Sequence, residues 1–260
     1  MRITNEKREI NELFLWFRKI KFIMNSCVSN SKKRVKKVLD ENFQYHHLAL
    51  SRSNKFLRKH DSEKLPLFVL YVDLVGSTNM SAKLNPDVLN VIIRTFSQEM
   101  SYVIEAFGGY VLKFVGDAVL AYFYDKDKSL QIADSIFHCA QTMLDVINES
   151  LNPALEDDKF PKLQIKVTVD FGNCSIVRYG SDKNRSHIDL IGLTLNLASK
   201  MQSIAKPNQI IIGESVYDKL SSKTKKSFKK KKTNSKNWKF NQLKTKKHYL
   251  IYQNIEKNNF

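Results

Sequence analysis

Cysteine is scarce in this sequence. The three in 260 residues, Cys27, Cys139 and Cys174, lie far apart and match no metal-ligand spacing. An odd count with no pairing pattern excludes a disulfide framework and argues for a reducing compartment, so a cytoplasmic protein is expected. The thiols then serve as small buried apolar groups. Long apolar runs are missing as well. The richest stretch, Leu13–Val28, is too short to span a bilayer and is interrupted by Arg18, Lys19 and Lys21, and nothing reads as a signal peptide. Acid is absent from one place in particular: from Lys219 to Lys247 there are 13 lysines and no Asp or Glu. Without that run the formal net charge of +17 falls to +4, so the rest of the chain is only mildly basic. The run also holds no arginine and little aromatic interleaving, which weakens a sequence-specific nucleic-acid reading. Its plainest reading is a solvated loop, with contact to nucleic acid or an anionic membrane as the less favoured alternative.

What is present is an ordinary globular composition, 42% hydrophobic and 27% charged. The length suits one domain with an extension. Two short acidic stretches organise it. The first is Leu67–Thr78, LFVLYVDLVGST; the second is Gly108–Phe123, GGYVLKFVGDAVLAYF. In each, an apolar run of strand length and composition leads to an aspartate, Asp73 or Asp117. Aspartate is a poor strand residue and is expensive to bury unpaired. One explanation is turn chemistry, since Gly116-Asp117 between two apolar runs is a good hairpin signal. The other is that two strand-end carboxylates share a hard divalent cation, which prefers one or two carboxylates together with substrate phosphate oxygens. Gly76-Ser77-Thr78 offers backbone amides and hydroxyls to such a phosphate.

Taken in order, residues 1–62 read as a helical extension, with Ile10, Leu13, Phe14, Phe17 and Ile20 at helical spacing and a second pattern through Val35, Val38, Leu39, Phe43 and Tyr45, then Leu48, Leu50, Phe56 and Leu57. The plainer role is packing on the domain or on a partner's copy; a membrane-surface role is the livelier one. From 63 to 255 a single domain is expected. Leu67–Val72 is a strand, and Asn85-Pro86-Asp87 starts a helix that runs to Phe107. Tyr110–Val115 and Ala118–Phe123 form a hairpin, and Asp127–Leu151 a long helix. Asn152–Pro161 reads as a loop. Leu163–Val169 and Asn173–Tyr179 read as a strand pair turning at Asp170-Phe171-Gly172. Thr194–Ile204 is a helix, Gln209–Ile212 a strand and Val216–Leu220 a short helix. Asn237–Phe240 and His248–Tyr252 close the domain. This order predicts an α+β, ferredoxin-like sandwich with additions.

The motifs then resemble a known family. Val72–Thr78, Gly109 through Asp117, Asp189–Gly192 with Thr194–Met201, and Gly213–Tyr217 are similar, in order and spacing, to the class III nucleotidyl cyclase catalytic domain. The resemblance covers about Leu65 to Tyr252. It implies an adenylyl cyclase of intracellular signalling, a lyase that turns ATP into 3′,5′-cyclic AMP and pyrophosphate as the ribose 3′-hydroxyl attacks the α-phosphate. It implies Mg²⁺ or Mn²⁺, two per site, held by Asp73 and Asp117 with the Leu74 carbonyl. Val75 to Thr78, through Gly76, Ser77 and Thr78, would hold the phosphates. Lys113 and Asp189 would read the adenine edge, Asn196 would orient the ribose, and Lys200 stands where the family usually carries an arginine for the transition state. Lysine keeps the charge but loses the planar fork. The alternatives that follow are a slower cyclase, one recruiting Arg178 or Arg185, or a catalytically weakened nucleotide-binding regulatory module. One of Lys244, Lys246 and Lys247 would match the family's γ-phosphate lysine. One chain carries both residue sets, so a homodimer with two sites at the subunit interface is expected.

Overall fold

In a computed structural model, described for residues 2–41, 49–124, 130–156, 160–182, 185–233, 238–242, 245 and 247–255, the chain builds one eight-stranded sheet flanked by helices. Two helices, α1 (Arg2–Glu41) and α2 (Ala49–Lys59), precede β1 (Lys64–Leu74). Then come α3 (Ser77–Lys83), α4 (Pro86–Ala106), β2 (Tyr110–Val115), β3 (Ala118–Tyr124) and α5 (Leu130–Val146). A π-helical turn, Ile147–Leu151, leads into α6 (Asn152–Glu156). The second half runs β4 (Ile165–Tyr179), β5 (His187–Ile191), α7 (Leu193–Gln202), β6 (Ile210–Gly213), α8 (Glu214–Tyr217), α9 (Ser222–Lys225), β7 (Phe228–Lys230) and β8 (Ile251–Asn254).

The strand order is β2-β3-β1-β4-β6-β8-β7, with β5 added to β4. Among the described strands only β4 and β6 pair in parallel. β1 lies in the middle, antiparallel to β3 on one side and β4 on the other. Its even-numbered apolar residues, Phe68 to Leu74, pack under α4 and α5. Its odd ones, Leu65 to Val69, face α2 and α7. Period-two alternation thus assigns the strand one face to each layer. Tyr71 and then Asp73 take the next odd positions, on the α7 side.

Local chemistry sets the boundaries that the sequence suggested. The Asn85 side chain accepts from the Asp87 amide at 2.9 Å, and Pro86 opens α4. Gly108, at φ 81°, ends the turn that follows it. The first helices are not a detached appendage. Val35 and Ala49 belong to the same core as α4 and α5, and Leu57 to the other. Arg34 clamps the fully buried Glu99 of α4 with two hydrogen bonds, 2.8 and 2.6 Å.

Four expectations are corrected. Asp170-Phe171-Gly172 is no turn: β4 runs straight through it, and Gly172 pairs with Leu67. A Cβ at Gly172 would collide with the Thr194 hydroxyl, so this glycine serves the close approach of α7. Asn152 does not start a loop. Its amide group exchanges two hydrogen bonds with the Leu163 backbone, 3.0 and 2.7 Å, and helical structure continues to Glu156. The lysine run is not all loop either, because it supplies α9 and edge strand β7, with Phe228 buried against Phe137. Of the closing strands, Ile251–Asn254 forms; Trp238–Phe240 lies outside any strand, with Trp238 buried and its indole donating to the Tyr249 carbonyl at 2.8 Å. The expected helical positions Phe43, Tyr45, Leu48 and Asp127, and the lysines Lys244 and Lys246, lie outside the described residues.

Candidate active site

The two aspartates meet. β1 delivers Asp73 near its C-terminal end, and the tight turn of the β2–β3 hairpin, with Gly116 at φ 61°, delivers Asp117 beside it. The carboxyls interact directly. Burial, and then the Asp117 charge, push the Asp73 carboxyl up to about 6 from its ordinary 3.8. Lys166 opposes that shift from the next strand, its Nζ 3.7 Å from Asp73 Oδ2. Asp117 Oδ2 is sealed from solvent and finds no hydrogen-bond partner among the described residues. Two half-buried acids and an orphaned carboxylate oxygen are poor for stability and well suited to a hard cation. Among the described residues no cluster of three or more His, Cys, Asp or Glu exists. A cation here therefore completes its shell from backbone, water or the phosphates of a substrate. Leu74 is buried and pairs with Ile165, which places its carbonyl at the same end of β1.

The phosphate-loop expectation narrows. The Val75 amide donates to the Gln164 carbonyl at 2.9 Å and is spent on the sheet. Gly76 caps α3 in the left-handed region at φ 76°, and Ser77 and Thr78 form its first turn, where amides have no intrahelical acceptor.

Lys113 and Asp189 also meet. The Lys113 ammonium, on β2, forms an ion pair with Asp189 Oδ2 on β5. The other Asp189 oxygen accepts the Leu190 amide at 2.8 Å, and His187 Nε2 lies 3.8 Å from Oδ2. A cationic donor thus stands directly beside an anionic acceptor. Asn196 and Lys200 lie one turn apart on the exposed face of α7, while Thr194, Leu195, Leu197 and Ala198 are buried beneath. Neither exposed side chain is hydrogen-bonded or ion-paired among the described residues. Of the two substitute cations, Arg178 is taken by Asp61 at 3.1 Å, and Arg185 sits in the turn before β5.

Three residues of this region had no sequence signal. Lys166 is an ordinary strand lysine until the β1–β4 register sets it opposite Asp73. Tyr71 lies two residues before Asp73 on the same strand face. Its hydroxyl bonds the Ser199 side chain, and burial followed by the nearby Asp189 charge raises its pKa. Gln202 donates to the carbonyls of Tyr71 and Lys166, at 3.0 and 3.3 Å, fastening α7 to both strands. Tyr71 thus joins the metal-type and base-type clusters through one strand. A separate cavity of about 340 Å³ behind α7, lined by Asp170, Leu197, Gln242 and Tyr249 among others, contains none of the expected site residues.

Comparison with known proteins gives a consistent answer. Residues 61–253 match the family model described as the adenylate and guanylate cyclase catalytic domain. Over 153 residues the chain is 31% identical to a cytidylate cyclase of Staphylococcus aureus, covering 56% of this chain and 36% of that protein. Over 158 residues it is 30% identical to a uridylate cyclase of Burkholderia cepacia, covering 60% and 67%. The match thus spans about a third of the length of the cytidylate cyclases. Among solved structures, the adenylyl cyclase CyaB of P. aeruginosa superposes with a TM-score of 0.62 at 23% identity, over 76% of this chain and 97% of that one.

Proposed function

Because the chain belongs to the adenylate and guanylate cyclase catalytic-domain family, we propose that it is a homodimeric nucleotidyl cyclase acting on ATP. The observation that carries this reading is the meeting of Asp73 and Asp117 around a sealed, unpartnered carboxylate oxygen. Mg²⁺ or Mn²⁺ bound there would lower the pKa of the ribose 3′-hydroxyl and offset phosphate charge. The protein's own part is positioning and charge stabilisation. Asp73 and Asp117 hold the cations with the Leu74 carbonyl; the Gly76–Thr78 amides and hydroxyls take the β- and γ-phosphates. Asn196 orients the ribose and Lys200 meets the charge that develops on the α-phosphate. That last pair projects outward from α7, which supports a site completed by a second copy of the chain.

Base choice rests on Lys113 and Asp189. A donor beside an acceptor matches an edge carrying a ring nitrogen next to an exocyclic amine. Guanine and uracil present a carbonyl where that amine would be, and a carbonyl faces Asp189 repulsively. Adenine fits. Cytosine has the same amine-and-nitrogen order, and the similarity to cytidylate cyclases favours CTP as the second reading.

The test is the purified chain with Mn²⁺ and each of the four nucleoside triphosphates in turn. The expected result is cyclic AMP from ATP, lost in Asp73→Ala. Cyclic CMP in its place moves the assignment to the second reading. No cyclic product, with ATP still bound, would leave the weakened regulatory module that Lys200 suggests.

A further inference from the structure

Among the described residues the three most exposed large apolar side chains lie on α1. Phe14 is 58% exposed, Leu15 54% and Phe22 72%. They point away from the domain, because the opposite side of the helix carries the buried Ile20 and the half-buried Trp16, Ile23 and Met24. Exposed Arg18, Lys19 and Lys21 stand among them, and residues 13–25 contain no acid.

The fold brings the lysine run to the same place. The Ser221 amide donates to Asp134 of α5 at 3.0 Å, and Phe228 packs on Phe137 with ring centres 4.9 Å apart. On the next residue, His138 lies 6.1 Å from the Trp16 ring of α1. Lys223 closes the gap, its Nζ 4.4 Å from the centre of the Phe17 ring. Beyond it Lys226, just after α9, Lys230, on the face of the edge strand β7 that Phe228 shares, and Lys232, just after β7, are exposed. Two stretches some 200 residues apart in sequence thus share one end of α5.

We propose that this composite surface docks on an anionic lipid bilayer. Phe14, Leu15 and Phe22 enter the headgroup–acyl boundary, and the α1 cations with Lys226 and Lys230 face the lipid phosphates. The helix lies on the surface rather than crossing it, since no described helix is long and apolar enough to span a membrane. An apolar anchor combined with a basic patch supplies the two signals that stable peripheral attachment needs. A second copy of the chain is a poor occupant: a two-fold contact would press this basic patch against its own image. A nucleic-acid surface would leave three large apolar side chains with nothing to bury them. The proposal stands on this surface alone and is independent of the nucleotide chemistry.

The experiment is cosedimentation of the full chain with vesicles of phosphatidylcholine alone and of phosphatidylcholine with about a third phosphatidylserine. Binding is expected only to the second set, weakening as salt rises. Phe14→Asp with Phe22→Asp should cut it by more than about tenfold. Lys226→Glu and Lys230→Glu should each weaken it by about fivefold or more. These side chains are exposed, and circular dichroism checks that the variants fold. No sedimentation of the wild type overturns the proposal. So does equal binding to uncharged vesicles. Binding to a short DNA duplex that is tighter than to vesicles and lost in the same lysine variants reassigns the surface to nucleic acid. A dimer that falls apart in the phenylalanine variant, with vesicle binding unchanged, assigns α1 to a second copy instead.

Discussion

Two acidic sites lie on neighbouring strands, and they are built in opposite ways. At Asp170, in the middle of β4, hydroxyl donors converge on the acid. Ser215 Oγ donates to Oδ1 at 2.8 Å and the Tyr249 hydroxyl at 2.5 Å, and Gly213 leaves the room, since a Cβ there would strike both Asp170 and Tyr249. At Asp73 and Asp117 the protein does the reverse: it sets two acids together and leaves one oxygen without a donor. Both arrangements raise a pKa by burial, to about 7 for Asp170 and about 6 for Asp73. Only the donors tell them apart. A closed acid is a structural tie; an open pair is a place kept for something that is not protein.

The contrast can be broken most forcibly at the open site. Asp117→Asn should lower cyclase turnover by about 10²–10³-fold, in line with loss of a principal charge-stabilising contact. Its thermal stability should hold or rise, because like-charge repulsion is relieved; a drop of several degrees would make the pair structural after all. Asp170→Ala should do the opposite. Removing one partner of a buried network costs about 3 kcal/mol, or roughly 6–12 °C in melting temperature for a chain of this size. Turnover per folded molecule should change little by comparison, read by scaling activity to the folded fraction from circular dichroism.

Acidity sharpens the difference. A divalent cation needs Asp73 ionised, so Mn²⁺ should raise the melting temperature at pH 8 and lose that effect as pH falls through about 6. Asp117→Asn should abolish the shift, whereas Asp170→Asn should leave it. Asp170 also has a linkage of its own. Its folded pKa of about 7 lies above the ordinary 3.8, so the folded state holds the proton more tightly. Its contribution to stability is therefore fully present below about pH 4 and is lost as pH rises to about 7. Asp170→Asn should flatten that part of the stability profile, measured by denaturant unfolding at stepped pH. The smallest effect expected is at α7. Lys200→Arg restores a planar fork on an exposed turn and should raise turnover by about tenfold, near 1.4 kcal/mol, in a cyclase assay at saturating substrate. An unchanged rate would mean that the lysine is sufficient.

The strands at Leu67–Val72 and Gln209–Ile212, the α4 helix and the β2–β3 hairpin were legible because each is a local matter of apolar period, proline, glycine and a cap. Failures of the sequence reading share a cause. Asp170-Phe171-Gly172 has the composition of a turn, yet Ser215 and Tyr249, 45 and 79 residues away, satisfy the acid within a strand. Asn152 looked like the start of a loop until Leu163 took both ends of its amide. Lys166 and Tyr71 were invisible for the same reason: their roles depend on register and on the docking of α7.

The order of residues alone determined that this chain carries Asp73, Asp117, Lys113 and Asp189 in motifs that resemble a nucleotide cyclase, because motif spacing is a property of the chain itself. Only the tertiary structure decided that Asp73 meets Asp117, that Lys113 meets Asp189 and that the lysine run lies beside α1. The reason is physical: a charge interaction falls off within a few ångströms and is reset by burial, and neither separation nor burial is fixed until strands have paired and helices have packed.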